Sequence, residues 1–397
     1  MSAMPPMGPD VSLATEVADA LPTDAWSRTD LVHPDGRHFH IYGESHGTLA
    51  AQPSDTGYDV RALHRRFDRL TGAWVLVSPA RNNRPGGLAH PTAAPVCPLC
   101  PGGPELPWPY DVAVFDNRFP SLSADAPSVN GALQAASIGR CLVVVYTPEH
   151  HGSLASLSPQ QLVRVMAVWR DRSTALWSEG HRCVMAFENR GEAVGATLAH
   201  PHGQFYALAH VPPFTVAKVA AHHAHRRAHD ECLGCAVNGD DVGSERVIAA
   251  NPSFVVAVPF AARWPYEVHI RAIRHGLGRL SELTDVEVRD LAVAVRSTVT
   301  RLDGLFGFEM PLMLAVQEAP AVEPGDPPGG EPDWHLHVEV IPPHRSAERL
   351  KVRASVETAL GQFINDTLPE ESASQLRVVQ VDLGNWAGVR VPRISVG

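Results

Sequence analysis

The chain has 397 residues, 44% of them hydrophobic, with a formal net charge of −10. That is material for two or three domains' worth of core, and the acidic balance excludes a nucleic-acid backbone as the expected partner. No apolar run approaches the roughly 18–20 residues that span a bilayer, so no membrane association is expected either.

Taken in chain order, residues 1–28 read as a Pro-, Ala- and Asp-rich disordered tail. With Arg28 as the first basic residue no charged leader is expected, and a reducing cytoplasm is the expected compartment. Turn signals at Pro34-Asp-Gly36 suggest a hairpin-like extension over 29–60, followed by a strand at Trp74–Val77. Cys97-Pro-Leu-Cys100 then has the spacing of a metal knuckle. Strands are expected at Val112–Phe115 and Cys141–Tyr146. A helix follows, with Ser158 as N-cap, Pro159 at N1 and an apolar face of Leu162, Val165, Met166 and Trp169. Strand Cys183–Phe187 leads to His200-Pro-His202-Gly-Gln204.

The same order returns. Cys232-Leu-Gly-Cys235 precedes strands Phe254–Val258 and Val268–Ile273. Thr284-Asp-Val-Glu287 forms a capping box ahead of a helix carrying Val288, Leu291, Ala292 and Val295. Strand Leu312–Val316 leads to His335-Leu-His337-Val-Glu339. A shared β-β-α-β order implies a duplicated unit: two α+β halves, 29–215 and 216–397, each an antiparallel sheet with a packed helix, joined into one large sheet.

Each half offers a Cys2His2 set suited to tetrahedral zinc: Cys97, Cys100, His150 and His200, and Cys232, Cys235, His275 and His335. The intervals from second Cys to first His are 50 and 40 residues, and between the histidines 50 and 60. With all four positions taken, either zinc would be structural, pinning the loop that carries the second histidine. The plain alternative is a pair of thiols with unrelated surface histidines. His151 rivals His150, since His151 precedes Gly152 as His275 precedes Gly276. Cys141 and Cys183 read as core residues.

Only the first half ends in a reactive-looking sequence. Once His200 is fixed by a metal, His202 is free to face a cleft, and Gly203 lets a ligand approach the backbone. A neutral imidazole whose other nitrogen donates to a carbonyl is a good nucleophile toward phosphorus. Gln204 can donate an amide N–H to a phosphoryl oxygen but cannot protonate a leaving group. That suits transfer between phosphates. Arg81, Arg84 and Asn117 are candidate phosphate contacts, and Gly195-Ala-Thr197 supplies further donors.

At these residues the chain resembles the galactose-1-phosphate uridylyltransferase family of the histidine-triad superfamily, over about residues 70–369. The resemblance rests on H-P-H-G-Q, on S-P-x-R-x-x-R-P at Ser78–Pro85, F-x-N-x-F-P at Phe115–Pro120, F-E-N-x-G at Phe187–Gly191 and G-x-T-x-x-H-P-H at Gly195–His202. It implies histidine-triad-like halves and transfer of UMP from UDP-glucose to galactose 1-phosphate through a uridylylated His202 stabilised by Gln204. Arg81, Arg84, Asn117, Asn189 and Thr197 would surround the nucleotide. Zinc would take His150 rather than His151, and Lys351 and Glu357 would reach the sugar phosphate of the neighbouring subunit in a homodimer. No redox cofactor is implied.

Two departures stand out. Some members of the family bind a second metal, described as iron, through one Glu and three His; three of the matching positions are Gln317, His337 and Glu339 here, so that site is expected to be missing. Arg118 stands where relatives often have Asp. The rival readings are a nucleotide-sugar or dinucleotide phosphorylase acting by adenylyl transfer on the same fold, and a zinc-stabilised binding module without turnover. A hydrolase fits less well, because hydrolases of the superfamily carry a third His where Gln204 stands.

Overall fold

A computed structural model describes residues 13, 25–44, 59–83, 97–321 and 333–396. Strands β1 (Ala25–Val32) and β2 (His38–Gly43) form the expected hairpin, closed where Gly36 takes a positive φ of 89°. Ala25–Arg28 therefore belong to a strand rather than to the expected tail; the remainder of that tail, save Leu13, lies outside the described residues. Strands β3 (His64–Asp68) and β4 (Ala73–Val77) belong to a small separate sheet of three strands, completed by Gln134–Ala136 against β3.

In the first half, β5 (Val112–Asp116), β6 (Gln134–Ala136) and β7 (Gly139–Val145) precede helix α1 (Pro159–Ser178). The Ser158 hydroxyl accepts from the Gln161 N–H, capping the helix as its sequence foretells. Leu162, Val165, Met166 and Trp169 are all buried. Strands β8 (Cys183–Arg190) and β9 (His202–Leu208) follow. Helices α2 (Pro213–His229) and α3 (Leu233–Asp241) connect to the second half. It comprises β10 (Val247–Ala250), β11 (Phe254–Ala257), β12 (Val268–Ala272), α4 (Asp285–Phe306), β13 (Leu312–Gln317) and β14 (His337–Ile341). The Thr284–Glu287 capping box forms at the start of α4. Beyond it lie β15 (His344–Ser346), β16 (Arg349–Leu350), α5 (Ser355–Leu360), α6 (Pro369–Val378) and β17 (Arg393–Val396).

Twelve strands form one sheet in the order β10-β11-β12-β14-β13-β8-β9-β7-β5-β2-β1-β17. The two halves meet at the antiparallel β8–β13 pair, where Glu188 faces Leu314. Within the large sheet both halves contain a β-β-α-β-β unit (β5, β7, α1, β8, β9 and β11, β12, α4, β13, β14), one strand more than the sequence suggests, because the histidine pair runs directly into β9 or β14; the second half adds β10 ahead of this unit. Every pairing in the large sheet is antiparallel except β1 with β17. Helices α1 and α4 pack together on one face, and a single apolar core runs beneath both halves. A smaller cluster on the other face holds Leu99 against Phe39, Phe115 and Val145, seating the Cys97–Cys100 turn. No helix among the described residues is long and apolar enough to cross a membrane.

Glu318 lies in the seam between the halves. Its Oε2 accepts from Ser173 Oγ (2.7 Å), Trp177 Nε1 (3.0 Å) and the Leu280 N–H (3.1 Å). Burial pushes its carboxyl from the ordinary 4.5 up to about 7. A raised folded-state pKa contributes stability that is complete below the unfolded value and lost as pH rises through the folded one. The melting temperature should therefore fall between about pH 4.5 and 7 with a component absent from Glu318→Gln. Parallel melting curves across that range test this, and identical slopes for both proteins would refute it.

Candidate active site

The site grows from the alternation along β9. Gly203, Phe205 and Ala207 point into the helix-covered core, so His202, Gln204 and Tyr206 share the opposite, open face. Gly203 is required by its surroundings: a Cβ there would collide with the Tyr146 hydroxyl and stand 2.8 Å from the Phe187 carbonyl. The strand can thus lie flat between β7 and β8 only without a side chain at that position.

His202 Nδ1 donates to the His200 carbonyl at 2.7 Å. That bond makes Nε2 the unprotonated, nucleophilic nitrogen of the neutral ring. The imidazole lines a cleft of about 250 Å³ together with Asn189, Thr197, Gly191 and Pro201. Beside it on the same sheet face, Asn117 Nδ2 donates to Gln204 Oε1 at 3.4 Å, which presents the Gln204 amide N–H2 as the remaining donor. Asn117 is itself held, accepting from the Phe119 N–H at 2.8 Å. Arg81 Nη1 donates to Tyr206 Oη (3.2 Å) and to the Phe119 carbonyl (3.3 Å). Asn189 and Thr197 thus line the cleft with His202, Asn117 lies against Gln204, and Arg81 lies against Tyr206 further along β9. Arg84 lies outside the described residues. Lys351 and Glu357 do not line the cleft; they pair with one another at 2.8 Å, both buried.

Behind His202 is a cluster of Cys97, Cys100, His150 and His200, whose ligand atoms all lie within 4.8 Å of one another. Cys100 Sγ stands 3.5 Å from His150 Nδ1 and 3.6 Å from His200 Nδ1, and Cys97 Sγ is 3.7 Å from His200 Nδ1. A tetrahedron with bonds of roughly 2.3 Å to sulfur and 2.0–2.1 Å to nitrogen has S···N edges of about 3.5 Å, so the residues fit a four-coordinate zinc. Of the two adjacent histidines, His150 faces the thiols, while His151 is exposed and lies edge-on to the His150 ring. His200 Nε2 donates to the Thr147 carbonyl at 2.8 Å, orienting the ring for ligation through Nδ1. Burial holds its pKa below the usual value, favouring the neutral, ligating form.

A second cluster joins Cys232, Cys235, His275 and His335. Cys235 Sγ lies 3.5 Å from His275 Nδ1 and 3.4 Å from His335 Nε2, again suiting a tetrahedral ion. The ring of His335 is turned over relative to His200: its Nδ1 donates to the Ala272 carbonyl at 2.8 Å, leaving Nε2 to ligate. The local backbone differs too. Cys232 is the N-cap of α3 and Cys235 lies in its first turn, where the first half has a non-helical turn. Gly234 allows this approach, since a Cβ there would meet His335 Cγ at 2.7 Å.

Three anchors escaped the reading of the sequence: Tyr206, the Thr147 carbonyl and Gly234. Tyr206 alone had a signal, its period-2 spacing from His202 and Gln204. The other two depend on contacts between distant segments.

Comparison with known proteins bears on this site directly. Residues 53–212 match the galactose-1-phosphate uridyl transferase N-terminal domain, and residues 229–387 match the C-terminal domain. The galactose-1-phosphate uridylyltransferase of Thermotoga maritima is 38% identical over 331 residues, covering 81% of this chain and 100% of that protein. A solved uridylyltransferase structure superposes with a TM-score of 0.70 at 33% identity, over 80% of this chain and 98% of its own. An ADP-glucose phosphorylase from Arabidopsis thaliana shares the fold, with a TM-score of 0.62 at 23% identity, over 81% of this chain and 100% of its own. With both domains matched and the relatives spanned almost end to end, the chain belongs to the galactose-1-phosphate uridylyltransferase family and is a nucleotidyltransferase.

Proposed function

We propose that this chain transfers UMP from UDP-glucose to galactose 1-phosphate through a covalent uridylyl group on His202. The observation that carries the reading is the Nδ1 bond of His202 to the His200 carbonyl, on a ring that lines the cleft. Nε2 attacks the α-phosphorus, the bond to the bridging oxygen breaks, and its electron pair leaves with glucose 1-phosphate. The ring becomes a phosphorylated imidazolium, and the bond from Nδ1–H to the carbonyl stabilises its positive charge. A phosphate oxygen of galactose 1-phosphate then attacks the same phosphorus, the P–N bond breaks, and UDP-galactose forms.

Both the entering and the leaving groups are phosphates that are ionised at neutral pH, so neither step needs a general acid. Gln204 accordingly binds phosphoryl oxygen through its amide N–H, and Asn117 holds that amide in orientation. Arg81, Arg84, Asn189 and Thr197 take the nucleotide. Zinc at Cys97, Cys100, His150 and His200 supplies rigidity rather than reactivity, because all four of its positions are filled by protein. Cys232, Cys235, His275 and His335 hold a second structural zinc. The reduced thiols these clusters need fit a cytoplasmic protein. Lys351 and Glu357 serve the active site of a partner subunit in a homodimer. In support, the segment around them exposes Val352 (76%) and Leu360 (78%). The N-terminal and C-terminal histidine-triad-like halves, 29–215 and 216–397, are read as the two domains.

Incubated with UDP-glucose alone, the protein should gain one UMP per chain in its intact mass. His202→Asn should fold normally, gain none, and lose roughly 10³-fold or more in turnover. Unchanged activity in that variant would remove His202 from the mechanism. Labelling by ADP-glucose in preference to UDP-glucose would instead favour an adenylyl-transferring phosphorylase.

Metal analysis should find two zinc ions per chain, falling by one in Cys100→Ser and by one in Cys232→Ser. Loss of the first ion should lower both the melting temperature and the rate, since it frees the loop that carries His200. Full zinc content in either variant would contradict the assignment.

A further inference from the structure

The second half reproduces the nucleophile's geometry and then closes it. His337 follows His335 as His202 follows His200, and its Nδ1 donates to the His335 carbonyl at 2.8 Å, as His202 Nδ1 does to His200. The Nε2 lone pair of His337 is thereby set up as that of His202 is. That lone pair is already engaged. Lys218, from α2, places Nζ 3.0 Å from His337 Nε2 and 2.6 Å from Glu339 Oε1. Glu339 is the positional counterpart of Gln204 and is buried, and its Oε2 accepts from Arg263 Nη2 at 2.9 Å. Arg263 also pairs with Glu267 Oε1 at 2.9 Å, and His269 Nε2 lies 3.0 Å from the same oxygen. A buried carboxylate, an oriented imidazole lone pair and a cation between them make up the coordination chemistry of a hard or borderline metal ion, with an ammonium in the ion's position.

We infer that Lys218 is an internal cation filling a metal-type pocket formed by His337 Nε2 and Glu339 Oε1, and that removing its ammonium opens this pocket to a divalent transition-metal ion. An Nζ at hydrogen-bond distance from both acceptors leaves no room for an ion beside it. Its positive charge also repels one. The same contact occupies the His337 lone pair, so His337 cannot attack phosphorus, and the chain carries one nucleophile although it carries two histidine pairs. Deleting Lys218 leaves Glu339 short of one of its two cations, an uncompensated buried charge that a bound divalent ion would neutralise.

Cobalt(II) is the probe, added by equilibrium dialysis to the protein as purified, with cobalt per chain as the readout. Lys218→Ala should take up one more cobalt per chain than the wild type, and adding Glu339→Gln should abolish the gain. Lys218→Met, which keeps the apolar stem, is made in parallel in case the alanine variant does not fold. The extra cobalt should lack thiolate charge-transfer absorption, which separates it from cobalt entering the Cys/His clusters and makes the result independent of how those clusters are filled. Equal uptake in wild type and both Lys218 variants would overturn the inference. So would cobalt bound by the wild type and lost on Glu339→Gln.

Discussion

His200 is tied at three points, and the rest of the site is arranged around it. Its Nδ1 faces the thiols of Cys97 and Cys100, its Nε2 donates to the Thr147 carbonyl, and its own carbonyl accepts from His202. A side chain held at both ring nitrogens cannot rotate, and its peptide is correspondingly fixed. The carbonyl that selects the tautomer of His202 therefore has one direction only. Rigidity made in the Cys/His cluster is passed through a single residue's backbone to the imidazole in the cleft.

The large sheet supplies the second requirement, an uncovered face. Helices α1 and α4 pack on one side of the central strands and bury Phe205 and Ala207 there. Alternation along β9 then delivers His202, Gln204 and Tyr206 to the other side. Gly203, flush against the Tyr146 hydroxyl and the Phe187 carbonyl, keeps β9 in register between β7 and β8. A one-residue slip would exchange the core residues for the site residues, so the apolar pattern that stabilises the strand also aims the chemistry.

Duplication put the same scaffold on both sides of the β8–β13 seam, and the two copies then diverged by charge. At the His202 site the neighbour two residues on is a neutral amide, which tolerates an incoming phosphate. At His337 the corresponding neighbour is Glu339, a carboxylate that Lys218 and Arg263 neutralise. An anionic substrate would meet a site whose cations are already matched by internal carboxylates. Arg118 is likewise engaged within the chain, pairing with Glu105 at 3.4 Å.

Local patterns in the sequence determined a good deal. Ser158-Pro159 and Thr284-Asp-Val-Glu287 begin helices because capping is satisfied within a few residues. Leu162, Val165, Met166 and Trp169 fill a core because helical spacing puts them on one stripe. Both Cys/His sets were readable because ligand type and order survive when register does not. What only the tertiary structure decided are the contacts between segments far apart in the chain. His150 rather than His151 turns toward Cys100, Glu318 joins α1 to the second half, β1 pairs in parallel with β17, and Lys218 reaches β14 from α2. Nothing in the sequence near Lys218 marks it, since a lysine on an amphipathic helix ordinarily points to water. Its position follows from the packing of α2 over the sheet, and packing between distant elements depends on the whole fold.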